Sequence, residues 1–179
     1  MYSQADCVKE YGSQYTVGKL IDDGKLFRIE RGIYSEDKNI PTIAILMFKY
    51  PKAVATMKTA LYIHGLTDLI PDVYDLATDR DAAKIKDKRV KQYFYPSETF
   101  EKGVEQQEYM GYKIRVYNKE RMLVELIRYK SKLPFDLYKE VILNYRRIMP
   151  TLNIQEIQDY AMESPKSARI LEILQMEVL

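Results

Sequence analysis

One stretch narrows the fold of this chain more than any other. Val104 to Tyr109 runs through Met110-Gly111 into Tyr112, Ile114 and Val116, which alternate with Lys113, Arg115 and Tyr117. Residues two apart share one face of a strand, so this pattern predicts a β-hairpin with one covered side. A strand at about Val90 to Tyr95 precedes it. From about residue 119 the period becomes helical. Met122, Leu123, Leu126 and Ile127 form one apolar stripe, and Tyr138, Val141, Ile142, Tyr145 and Ile148 form the next, after Pro134. Asn153 with Glu156 resembles a capping box for a third helix. Ser164-Pro165 reads as a cap with proline at the first helical position, opening a last helix through Ile170, Leu174 and Val178. Four one-sided helices need a surface to cover, and the sheet provides it. The expected class is α+β, with a central, mostly antiparallel sheet and a helical C-terminus.

Upstream of the hairpin, Ala53 to Ala55 and Val73 to Thr78 read as strands around a helix from Met57 to about His64, closed by Gly65. Pro41 to Lys49 is apolar on nearly every side, as a buried helix would be. The first 35 residues have their own punctuation. Ser3 can cap a short helix from Gln4 to Lys9 that Gly12 breaks. Ser13 can cap a second, running to about Asp23 and stopped by Gly24. Leu26 to Ile29, a turn at Arg31-Gly32 and Ile33 to Ser35 complete a two-stranded ribbon. Helix, tight turn, helix, ribbon is the order of a winged helix-turn-helix. We therefore expect two domains, a winged-helix-like unit at 1–35 and an α+β domain at 36–179. A 35-residue segment is too short to bury a core alone and is expected to lean on the larger domain.

Composition removes several function classes. No apolar run reaches the roughly 20 residues of a membrane span. MYSQADCVKE lacks the charged start and apolar stretch of a secretory signal. With one cysteine, Cys7, and one histidine, His64, neither an internal disulfide nor a zinc site is expected, and a reducing, cytoplasmic location is the natural reading. The seven glycines are isolated, so no phosphate-binding loop is present. His64 is read as a helix-end residue bonding terminal carbonyls, and Cys7 as a small packing residue. Asp22-Asp23 and Asp79-Arg80-Asp81 are read as ordinary surface acids rather than metal ligands. No enzyme, metal or cofactor is expected.

In a winged helix the second helix offers its N-terminal residues to base edges while the ribbon meets phosphates. Here these would be Ser13, Gln14, Tyr15 and Lys19, with Lys25, Arg28 and Arg31 around the ribbon. Gln14 could read adenine, and the arginines could neutralise phosphate. The basic run from Arg80 to Lys91 is a solvated face or an auxiliary phosphate contact. Net charge is +2, and residues 1–35 balance Lys9, Lys19, Lys25, Arg28 and Arg31 against Asp6, Glu10, Asp22, Asp23 and Glu30. DNA reading thus requires that these charges segregate. A protein–protein interaction module on the same scaffold is the alternative.

Three blocks carry a family resemblance. Gly24-Lys25-Leu26-Phe27-Arg28-Ile29-Glu30-Arg31-Gly32-Ile33-Tyr34 resembles the wing of AbiEi-family antitoxins, the regulator halves of type IV toxin–antitoxin systems in abortive phage infection. Ala60-Leu61 through His64-Gly65-Leu66-Thr67-Asp68, with Leu76-Ala77-Thr78, resembles the family's next block. Glu120 to Arg128 resembles its C-terminal signature. The resemblance implies a transcriptional autoregulator that binds operator DNA of its own operon. It also implies a functionally paired nucleotidyltransferase-like toxin, with no direct complex required. The family's usual first helix is short or missing before Ser3, so the winged helix is expected to be abbreviated. The resemblance supplies no catalytic residue.

Overall fold

A computed structural model describes residues 1–178; Leu179, the last residue of the expected second domain, lies outside the described residues. The chain divides into two compact units, Met1–Lys49 and Tyr50–Leu179.

In the first unit, β1 (Tyr2–Ser3) leads into α1 (Gln4–Tyr11), α2 (Gln14–Asp22), β2 (Phe27–Glu30), β3 (Ile33–Ser35) and α3 (Thr42–Lys49). The local chemistry explains each boundary. Ser3 and Asp6 form a reciprocal capping box at the start of α1. Gly12, at φ 91°, ends that helix in a conformation that favours glycine. Ser13 caps α2 by accepting from the Thr16 amide at 3.1 Å. The helix–turn–helix–ribbon order is therefore present, with one addition. Tyr2–Ser3 pairs antiparallel with β3, so the ribbon is a three-stranded sheet of order β1-β3-β2. Cys7, Val17, Leu26 and Tyr34 are buried together, with Tyr2, Tyr11, Leu20 and Ile21 packed around them.

Two expectations for this unit need correction. It closes at Lys49 rather than at residue 35, taking in α3, whose Lys49 Nζ lies 3.1 Å from the Glu30 carboxylate of β2. It also owns a small apolar cluster, because both helices and the ribbon each contribute a buried side chain.

The second unit comprises β4 (Val54–Ala55), α4 (Met57–Ile63), β5 (Tyr74–Asp79), β6 (Val90–Tyr95), α5 (Ser97–Phe100), β7 (Val104–Tyr109) and β8 (Tyr112–Tyr117). The helices α6 (Lys119–Arg128), α7 (Phe135–Ile148), α8 (Ile154–Glu163) and α9 (Ser167–Glu177) complete it. The α+β class holds, with N-terminal helices, a central sheet and C-terminal helices. The sheet, of order β6-β5-β4-β8-β7, is mixed rather than mostly antiparallel. β5 pairs with β6, and β4 with β8, in parallel, while β4–β5 and β7–β8 are antiparallel. The parallel pairs arise where long connections return the chain in its original direction.

Helix α6 packs against α4, α8 and α9. Every residue from Arg121 to Ile127 is buried, a wider covered surface than its apolar stripe predicts. Arg121 is tolerated there because its guanidinium donates to the carbonyls of Thr99 (2.6 Å) and Lys102 and lies 3.7 Å from the centre of the Tyr117 ring. Buried Glu125 is met by Arg128 at 3.2 Å. A further correction concerns Ser164-Pro165. Ser164 closes α8, its hydroxyl donating to the Tyr160 carbonyl at 2.8 Å, and α9 starts only after Lys166 at φ 63°. The Ser164 hydroxyl is committed backward and is not a cap for the next helix.

Candidate nucleic-acid interface

The seven residues singled out for DNA contact fall on α2 and on the turn and strand after it. Ser13 is half-buried, and its hydroxyl is engaged twice, by the Thr16 amide and by Thr16 Oγ1 at 2.9 Å. Its role is to shape the helix entry. Gln14 and Tyr15, the first two residues of α2, are exposed, and Tyr15 is 83% exposed. An aromatic ring so fully in water gains nothing from folding and is available to a partner. Lys19 stands one turn further on the same face as Tyr15. Val17 points inward, with Leu20 and Ile21 beside the same cluster, so the helix separates a packing side from a free side. Gly18 lies one turn on from Gln14, and a Cβ there would meet nothing within 4 Å.

Beyond α2, Lys25, Arg28 and Arg31 are exposed. Arg28 pairs across the ribbon with Tyr34, and Glu30 with Ile33, so Ile29 is the extra residue of a β-bulge. A bulge sharpens strand twist and re-aims the side chains beside it. Gly32, at φ 79°, makes the tip turn, with Arg31 next to it.

The equal count of acids and bases hides a difference in their engagement. Asp6 is held in its capping box, where the Ser3 hydroxyl and amide keep its carboxyl below the ordinary value. Glu30 faces Lys49. Glu36 accepts from the Tyr11 hydroxyl at 2.7 Å, and that bond pushes the Tyr11 phenol upward. By contrast, among the described residues Lys19, Lys25, Arg28 and Arg31 have no side-chain hydrogen bond or ion pair. Glu10 on α1 is exposed as well, and Asp22 and Asp23 remain exposed at the far end of α2.

The other singled-out residues lie elsewhere. Cys7 is fully buried, and burial pushes its thiol up, away from the reactive thiolate. His64 ends α4, but its Nε2 donates to the Tyr117 carbonyl of β8 at 2.7 Å rather than to a carbonyl of its own helix. That corrects its expected partner. Burial lowers its pKa below the ordinary value, which favours the neutral ring. The basic run joins β5 to β6 in the second unit. Arg89 is held by Asp87 at 2.7 Å, and Gln92 pins the loop through the Ile85 amide and Thr78, both at 2.8 Å. Arg80, Lys84, Lys86, Lys88 and Lys91 are partly or fully exposed.

Sequence reasoning missed Asp75. Buried on β5, it accepts from the Lys58 amide in the first turn of α4 at 3.0 Å, a cap that Thr56 does not itself provide. No local signal links residues 58 and 75, so only the folded chain reveals it. Among the described residues no three His, Cys, Asp or Glu side chains converge, and no helix is long and apolar enough to cross a membrane. No protein-family model matches the chain, and no curated protein is similar to it in sequence.

Proposed function

We propose that this protein is a DNA-binding transcriptional autoregulator and the antitoxin of a type IV toxin–antitoxin system. The observation that carries the reading is the asymmetry on the first unit. Among the described residues, Lys19 on α2, Lys25 in the turn after it, and Arg28 and Arg31 on the ribbon have no side-chain hydrogen bond or ion pair, while Asp6, Glu30 and Glu36 are engaged internally. Unpaired cations in the last turn of α2, after it and on the ribbon suit a phosphate backbone, and Gln14 and Tyr15 are exposed at the helix start, the part a recognition helix offers to base edges. The resemblance of residues 24–34, 60–78 and 120–128 to AbiEi-family antitoxins supports the same role. It extends the proposal to a nucleotidyltransferase-like toxin as the functional pair. The role is one of binding, without catalysis.

Salt-resolved titration tests it. Wild type, Gln14→Ala and Arg28→Ala/Arg31→Ala are titrated against the gene's own upstream duplex and a scrambled one. Gln14→Ala is expected to lose about 1–3 kcal/mol on the upstream duplex at one base position. The double arginine variant is expected to weaken both duplexes alike and to lower the log–log salt slope by about one unit per lost phosphate contact. Absence of any preference for the upstream duplex at low salt refutes the reading. The exposed Asp22-Asp23 pair would then favour a protein–protein interaction module.

A further inference from the structure

The second unit contains a cavity of about 510 Å³ that the DNA reading does not use. Its volume falls within the range of small-molecule pockets, about 300–1,000 Å³. It is lined by residues of α6, α7 and α9 and of the segments 130–133 and 165–166. Four of the lining residues, Arg128, Lys130, Lys166 and Arg169, are cationic, and none is acidic. Two of these cations are already answered. Arg128 meets Glu125 at 3.2 Å, and Lys130 meets Glu177. Lys166 and Arg169 have no ion pair or side-chain hydrogen bond among the described residues. The cavity therefore has two positive charges left over.

The remaining lining is aromatic and aliphatic. Phe135 is 72% exposed at the start of α7, Tyr138 is buried beneath Lys130 with its ring centre 4.7 Å from that ammonium, and Ile170 is buried on α9. Helix α9 begins here without a side-chain cap, which adds its dipole to the positive field. We propose that this cavity binds a small phosphate ester with an aromatic ring, the chemistry of a nucleoside monophosphate. A phosphate monoester carries about −1.5 to −2 charge at pH 7, which matches the two unanswered cations. Arg169 offers a planar fork to the phosphate oxygens, and Lys166 a mobile point charge. The exposed Phe135 face takes the ring by stacking.

Calorimetric titration of the full chain with AMP, adenosine and inorganic phosphate, at matched ionic strength, tests the assignment. AMP is expected to bind, with adenosine and phosphate each weaker by about ten-fold or more. Lys166→Ala/Arg169→Ala and Phe135→Ala change exposed side chains and are expected to leave the melting temperature near wild type. Each is expected to weaken AMP by about ten-fold. Lys84→Ala/Lys86→Ala removes as much charge from the β5–β6 loop, whose residues do not line the cavity, and is expected to leave AMP binding unchanged. The proposal is overturned if AMP fails to bind at millimolar concentration, or if phosphate or adenosine alone binds as well as AMP. It is equally overturned if the Lys84/Lys86 variant loses as much affinity as the Lys166/Arg169 variant. This site and the DNA reading are tested on different residues, so either can fail without the other.

Discussion

Replacing Gly18 by alanine separates what α2 does for the fold from what it does for a partner. Glycine inside a helix is unfavourable by roughly 0.5–1 kcal/mol relative to alanine. Gly18 is not in a left-handed conformation, and an added Cβ would meet nothing within 4 Å. The fold therefore has no use for the missing methyl. Gly18→Ala is expected to stabilise α2 by that same amount, read as about two- to five-fold slower amide exchange across residues 17–22. If α2 enters a groove, the new methyl stands beside Gln14 and meets the duplex. A wedged methyl costs about 1–3 kcal/mol, so upstream DNA should bind about five-fold or more weakly. A gain in stability with a loss in binding identifies a glycine kept for close approach. Faster exchange would refute the open-space argument. Unchanged DNA affinity would refute the placement of α2 at the duplex.

Two further outcomes concern the second unit. Arg121→Ala removes the donor to the Thr99 and Lys102 carbonyls and is expected to destabilise by about 3 kcal/mol or more in thermal melts. Arg121→Lys should recover little, because an ammonium cannot reproduce the planar stack on Tyr117. His64 has its folded pKa lowered by burial from the ordinary 6.5, so the unfolded chain takes up its proton first as pH falls. Its contribution is complete above pH 6.5 and is lost as pH drops below it. Between pH 7 and 5 wild type should lose stability relative to His64→Gln by at most about 1.4 kcal/mol per pH unit, and parallel curves would refute this.

How much was legible depended on whether the signal was local. Ile33–Ser35, Val90–Tyr95, Val104–Tyr109 and Tyr112–Tyr117 are strands at the expected limits, because turn residues and alternation are written within a few positions. The Ser3 and Ser13 caps were readable for the same reason. Tyr2–Ser3 was not, since two residues have no period and their pairing partners, Tyr34 and Ile33, lie far along the chain. Burial of Arg121 and Glu125 was hidden because patterning treats any charge as surface. Only the folded chain supplies the Thr99 and Lys102 carbonyls and Arg128 that make them tolerable. In the candidate interface, positions could be named in advance but engagement could not. Nothing in the order of residues says that Glu30 faces Lys49 while Arg28 and Arg31 have no ion-pair partner among the described residues. The cavity beside Arg128 was out of reach altogether, being assembled from segments as far apart as Ile127 and Ile173.

The short β4 strand has a mechanical consequence. The outer ladders of the central sheet, β5–β6 and β7–β8, each run for six register pairs, but β4 joins them through two pairs on one side and one on the other. Ala55 is the residue that belongs to both joins, opposite Leu76 and Val116. So few backbone bonds cannot fasten two half-sheets together. The fastening falls to the helical cover, where Leu61 of α4 and Met122, Leu123 and Leu126 of α6 are completely buried. Under load or in mild denaturant, the molecule should part along this seam once those helices loosen, leaving two ladders each still zipped along its own length.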